Sequence, residues 1–125
     1  MIGAVDLFPS LCAIGNVTPP KEADFNGENL SAALLGKQAV KRRRPFFWEY
    51  GRNEESFAYP QGKDRSPNVA VRDGKWKLLI NGNGSGAELF DLDKDAVEEN
   101  NLSKKETAVV KRLSRVALDW RKALP

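Results

Sequence analysis

The sequence predicts an α+β fold: a four-stranded antiparallel sheet packed against a long C-terminal helix, with short helices in the N-terminal part. Three observations carry this. Val69-Ala70-Val71-Arg72-Asp73-Gly74-Lys75-Trp76-Lys77-Leu78-Leu79-Ile80 places Asp-Gly between two strand-like runs, a hairpin signal because a type I′ turn needs φ > 0 at both central residues. Pro45 to Tyr50 and Glu88 to Leu92 alternate side chains with period two and supply two further strands. Val109, Val110, Leu113, Val116, Ala117, Trp120 and Leu124 recur at three- and four-residue spacing, the seam of an amphipathic helix of about twenty residues.

A two-residue loop at Asp73-Gly74 pairs Arg72 with Lys75, Val71 with Trp76, Ala70 with Lys77 and Val69 with Leu78. Val69, Val71, Trp76, Leu78 and Ile80 then share an apolar face, and Ala70, Arg72, Lys75, Lys77 and Leu79 a mostly basic one. Arg72 opposite Lys75 calls for a nearby carboxylate such as Glu88. A lone hairpin is marginal in water, so the flanking strands and the helix must complete it, with Trp76 and Trp120 as the largest expected contributors to the core.

Taken in order, Asp6 to Ile14 reads as a short helix capped by Asp6, with Pro9 in its first turn and Gly15 as its stop. Leu7, Phe8, Leu11, Cys12 and Ile14 leave it little polar surface, so it wants cover on several sides. Gly15 to Asn29 is a loop, and Leu30 to Leu35 one or two helical turns ending at Gly36. Lys41-Arg42-Arg43-Arg44 reads either as a solvated loop before a strand or as a polyanion contact. In the strand that follows, Phe46, Trp48 and Tyr50 share one face, Phe47 and Glu49 the other. Gly51 to Pro67 is long for a compact domain, and such loops are often functional. Asn81 to Gly86 is a flexible connector; it lacks a Gly-Lys-Ser/Thr ending and precedes a strand, which excludes a phosphate loop. Asp91, Asp93 and Asp95 alternate as in an EF-hand, but Ala96 and Leu102 stand where Gly and Glu are needed, so calcium is not expected there. Ser103-Lys104-Lys105-Glu106 is a capping box for the last helix.

The 125 residues suffice for one domain, and 41% hydrophobic with 30% charged residues is an ordinary globular balance. A net charge of +3 does not by itself imply nucleic acid, and no recognised nucleic-acid motif is present. Histidine is absent, which removes the commonest general base and zinc ligand. Cys12, with no histidine to activate it, reads as a small buried hydrophobe. No apolar run approaches the roughly 20 residues of a membrane span. Met1-Ile2-Gly3 does not start a signal peptide, and the abrupt apolar beginning suits a piece of something longer.

Several pieces in order are similar to the C-terminal portion of the formylglycine-dependent sulfatases, of the arylsulfatase A and N-acetylgalactosamine-6-sulfatase kind. They are Val5-Asp6-Leu7-Phe8-Pro9-Ser10-Leu11 with Gly15 nearby, Asn26-Gly27 before Leu30…Leu34-Leu35-Gly36, Phe47-Trp48-Glu49-Tyr50, Ala70 to Leu78, and Glu88-Leu89-Phe90-Asp91-Leu92-Asp93-Lys94-Asp95 with Glu99-Asn100-Asn101-Leu102. The resemblance implies a lead-in over residues 1–40 that ends the catalytic-domain region, then a C-terminal α+β domain over 41–125. It implies sulfuric ester hydrolysis in the parent enzyme: a cysteine in Cys-x-Pro/Ser-x-Arg becomes formylglycine, whose hydrate attacks sulfur beside a bound calcium ion. Cys12 is followed by Ala13-Ile14-Gly15-Asn16, so the Pro and Arg positions fail. No catalytic residue is carried over, and no metal or cofactor is expected in this chain; calcium and formylglycine belong to the catalytic domain. The chain is expected to support that domain, in cis or in trans, or to self-associate through its N-terminal helix, and to be inactive alone. Glu49, Arg52 and Arg65 are the candidates for the leaving-group side of the substrate pocket. The alternative is a non-catalytic module that binds sulfated glycan or another polyanion through Lys41 to Arg44 and the basic hairpin face. No membrane or nucleic-acid partner is expected. Family members are usually periplasmic, secreted or lysosomal, but this chain alone carries no such address.

Overall fold

The computed structural model describes residues 1–50 and 66–124. The chain divides into two compact units, Met1–Arg44 and Pro45–Pro125. The first holds a 3-10 turn at Ala4–Asp6 that runs into α1 (Leu7–Ile14), followed by α2 (Ser31–Leu34). The second holds β1 (Phe46–Glu49), β2 (Val69–Asp73), β3 (Trp76–Ile80), β4 (Glu88–Asp91) and α3 (Thr107–Ala123). The strands form one antiparallel sheet in the order β1-β2-β3-β4, and α3 packs on one of its faces. This is the α+β architecture the sequence predicts. Among the described residues, no helix is long and apolar enough to cross a membrane.

The hairpin faces are as expected, but the turn is not. Asp73 pairs with Trp76, Arg72 with Lys77, Val71 with Leu78 and Val69 with Ile80, so the loop is Gly74-Lys75. Gly74 has φ +59° and Lys75 is not in the left-handed region. A positive φ at the first loop position alone, on glycine, is a II′ rather than a I′ requirement. Each strand slides by one residue in opposite senses, so the faces survive. The new register separates Arg72 from Lys75. Lys75 instead reaches Asp91 at 2.6 Å, and it is this residue, not Glu88, that supplies the carboxylate.

The helix-side core is Val69, Val71, Leu78, Ile80, Leu89, Leu113 and Ala117. Trp76 and Trp120 pack against it half-buried, so branched aliphatics rather than tryptophans fill the fully buried positions. Trp120 stacks on Phe47 with centroids 5.0 Å apart and planes within 10°, an offset-stacking contact worth roughly 0.5–1.5 kcal/mol beyond area. The opposite face is less basic than its sequence suggests. Ala70, Leu79 and Phe90 are buried there, with Trp48 and Leu92 packed against them. Lys77 lies over the Trp48 ring at 5.6 Å and places its ammonium on Glu98 at 2.6 Å. Its stem covers apolar surface while its head stays paired.

α3 begins at Thr107, and Glu106 at its N-cap makes no side-chain capping bond, so the expected capping box is not formed. The carboxamide of Asn101 takes that ground: its Oδ1 accepts from the Ser103 and Leu89 N–H groups. Ser103 is thereby held in the turn before the helix.

Candidate docking surface

In α1 and the 3-10 turn that leads into it, the polar side chains of Asp6 and Ser10 are inside and most of the large apolar ones outside. Asp6 and Ser10, one turn apart, are fully buried. Leu7, Phe8, Leu11 and Ile14 are exposed, Phe8 by 54% and Leu11 by 59%. At 100° per residue Leu7, Leu11 and Ile14 fall within about 60° of one another, and Phe8 flanks them. Val5, Val17, Leu34 and Leu35 add exposed apolar surface in the same unit. Buried polar groups and contiguous exposed apolar groups are the informative departures from ordinary burial, and apolar patches of this kind mark interaction surfaces.

The inward face is a polar clamp. Ser10 Oγ donates to the Glu28 carbonyl and accepts the Leu30 N–H at 2.8 Å. Asp6 accepts the Glu28 N–H on Oδ1 and the Gly3 N–H on Oδ2, each at 2.8 Å. Its Oδ2 also meets Arg42 Nη1 at 2.5 Å, with both side chains withdrawn from solvent. Burial pushes the Asp6 carboxyl up, but the Arg42 guanidinium and the two N–H donors outweigh it and hold the carboxyl below its ordinary value. The clamp needs a bare backbone at Gly27: a Cβ there would lie 1.9 Å from the Val5 carbonyl oxygen. Asp6, read from sequence as a helix cap, thus spends its carboxylate on residues 22 and 36 positions away. An i,i+4 pair of polar residues alongside an apolar stripe, about 90° from it, was the available signal.

Several of the other basic residues singled out are tied into the fold by main-chain or side-chain bonds. The main-chain N–H groups of Arg43 and Arg44 donate to the Glu28 carboxylate, and Arg44 Nη1 donates to the Phe25 carbonyl. Lys75 is raised above its ordinary pKa, chiefly by its hydrogen bond to Asp91, and Asp91 is lowered by the same bond. Of the three pocket candidates, Glu49 alone lies among the described residues. Glu49 Oε1 accepts from Arg121 Nε at 2.7 Å, which ties β1 to the end of α3. Arg52 and Arg65 lie outside the described residues, as does most of the loop that holds them.

Among the described residues no group of three His, Cys, Asp or Glu side chains could hold a metal ion. Two aspartates of the acidic turn are committed elsewhere: Asp91 to Lys75, and Asp95 to the Asn100 and Glu99 N–H groups, the former chiefly lowering its pKa.

The family described as N-sulphoglucosamine sulphohydrolase, C-terminal, matches residues 1–122. An N-acetylgalactosamine-6-O-sulfatase of Bacteroides thetaiotaomicron is 28% identical over 116 residues, covering 93% of this chain and 22% of that protein. A Delta 4,5-hexuronate-2-O-sulfatase of the same organism is 29% identical over 100 residues, covering 80% and 19%. The solved structure of a 2-O GAG sulfatase superposes with a TM-score of 0.60 at 27% identity, over 91% of this chain and 23% of that one. The chain therefore spans less than a quarter of the length of the relatives it matches.

Proposed function

This chain belongs to the N-sulphoglucosamine sulphohydrolase C-terminal family, and from that premise we propose that it is the supporting part of a sulfatase whose reactive groups lie outside it. Its homology is to sulfatases and its architecture is that of their C-terminal domain. The observation that carries the supporting role is the inversion of α1, which buries Asp6 and Ser10 while turning Leu7, Phe8, Leu11 and Ile14 outward. That face suits the catalytic portion of a sulfatase as its cover, because the curated relatives extend over about four to five times the length matched here. The substrate class we propose for the complete enzyme is a sulfated glycan, the class that the relatives' names give for them. Arg52 and Arg65 are carried as pocket candidates, and Glu49 acts by holding β1 to α3 through Arg121.

Sulfate ester hydrolysis needs a nucleophile at sulfur and cations that hold the departing sulfate. The chain has no histidine, and Cys12 lacks the flanking Pro and Arg that formylglycine formation requires in the resembling family. The purified chain, freed of contaminating enzyme, is expected to release no sulfate from an aryl sulfate above the uncatalysed rate. Turnover that co-purifies with the chain through successive columns would overturn this reading.

A further inference from the structure

We propose that the outer face of α3 is a docking stripe for a sulfated glycan chain, separate from any reacting centre. α3 carries Lys111, Arg112, Arg115, Arg121 and Lys122 against a single acidic residue, Asp119. Two of these cations are held in ion pairs. Arg112 Nη1 meets Asp73 at 2.7 Å, and Arg121 meets Glu49 at 2.7 Å. Lys111, Arg115 and Lys122 are exposed and make no ion pair among the described residues.

Helical geometry aligns those three. At 100° and 1.5 Å per residue, Lys111, Arg115 and Lys122 fall within about 40° of one another and span roughly 16 Å along the axis. The buried positions Leu113 and Ala117 lie on the opposite side, against the sheet. Asp119 is about 40° beyond Arg115. Leu118 shares the sector of the stripe but is half-buried beside Gly84. Lys104 and Lys105 add two exposed cations in the turn just before the helix.

A row of unpaired cations along one line complements a linear polymer with anions at intervals. Arginine offers a planar fork to sulfate oxygens, and lysine a mobile point charge. Of the basic groups that sequence reading favoured for this task, Lys41 to Arg44 and the basic hairpin face, Arg42, Lys75 and Lys77 are bound to Asp6, Asp91 and Glu98. The three cations of the α3 stripe, unlike these, make no ion pair among the described residues. The choice of a sulfated glycan over other polyanions rests on the substrate class proposed above; the stripe itself rests on α3 alone.

The test is titration of the purified chain with a fluorescent heparin oligosaccharide at 50 and 200 mM salt, with a DNA duplex as a second probe. Three contacts, each releasing about 0.7 of a counterion, weaken binding by roughly twentyfold over that range. The variant Lys111→Gln/Arg115→Gln/Lys122→Gln is expected to bind heparin at least about tenfold more weakly at 50 mM, with unchanged circular dichroism and Tm. Arg115→Gln alone gives a smaller loss in the same direction. A control pair on the other unit, Lys21→Gln/Lys37→Gln, should leave binding unchanged. No heparin binding at 50 mM, equal weakening by the control pair, or tighter binding to DNA than to heparin would overturn the proposal. Sulfate release by the chain would instead sink the supporting role and leave this binding result standing.

Discussion

Replacing Arg42 by methionine is expected to destabilise the Met1–Arg44 unit by about 3–5 kcal/mol, the cost of leaving one half of a buried ion pair without its partner. The Asp6 carboxylate would stay fully buried and lose its only side-chain cation among the described residues. The damage should be local and legible by hydrogen exchange. The Glu28 N–H, bonded to Asp6, and the Leu30 N–H, bonded to Ser10, should lose protection. Amides of the Pro45–Pro125 unit, such as those of β3, should keep theirs.

Acid gives the same test a second readout. The folded Asp6 pKa is depressed, so its contribution is in place above the ordinary carboxylate value near 4 and is lost as pH falls below it. In the Arg42→Met variant the cation that holds the carboxyl down is gone, so the folded pKa rises toward the unfolded one. The acid-dependent fall in protection at Glu28, followed from pH 5 downward, should therefore be smaller in the variant. Equal acid sensitivity of the two proteins would show that the pair does not govern this unit.

The second large effect is expected at Leu113, which is fully buried between α3 and the sheet among Val69, Val71, Leu78, Ile80 and Leu89. Leu113→Ala removes three methyl-level carbons from the single seam that holds the helix to the strands. The loss should be about 2–5 kcal/mol, transfer plus cavity. At roughly 4–8 °C per kcal/mol for a unit of this size, Tm should fall by at least about 8 °C. Val97→Ala, at a side chain 74% exposed, should change stability by less than about 0.5 kcal/mol. If Leu113→Ala were as mild as Val97→Ala, α3 would not be the cover of this sheet.

The sheet and helix were legible in the sequence because their signals are periodic and local. Val69, Val71, Leu78 and Ile80 alternate, and Val109, Leu113 and Trp120 repeat, whatever their partners are. The hairpin register was misplaced by one residue per strand because both turns put Gly74 at a positive φ and both preserve the faces. The buried state of Ala70 and Leu79 was hidden by neighbouring Arg72 and Lys77, since a lysine can lay its stem along apolar surface and still pair its head with Glu98. Glu98 holds that position at φ +61°, a left-handed conformation no local pattern announces for glutamate.

The site was less legible for a related reason. Asp6 with Arg42, Ser10 with Leu30 and Glu49 with Arg121 are contacts across 36, 20 and 72 residues. Composition and spacing say that Asp6 precedes a helix, and a helix cap is the nearest use for it. They do not say that a segment will cross the inner side of α1 and draw the carboxylate inward. Once it does, the apolar stripe has only the outside to occupy.

That outward stripe is the point on which the supporting role turns, and apolar-dye fluorescence read together with sedimentation of the purified chain tests it most directly. The expected result is dye binding by the monomer, or self-association that hides the face, with either one abolished by Phe8→Glu/Leu11→Glu while the thermal transition of the sheet-and-helix unit is unchanged. A strictly monomeric chain that binds no dye, or a double variant that behaves as the parent does, would contradict it.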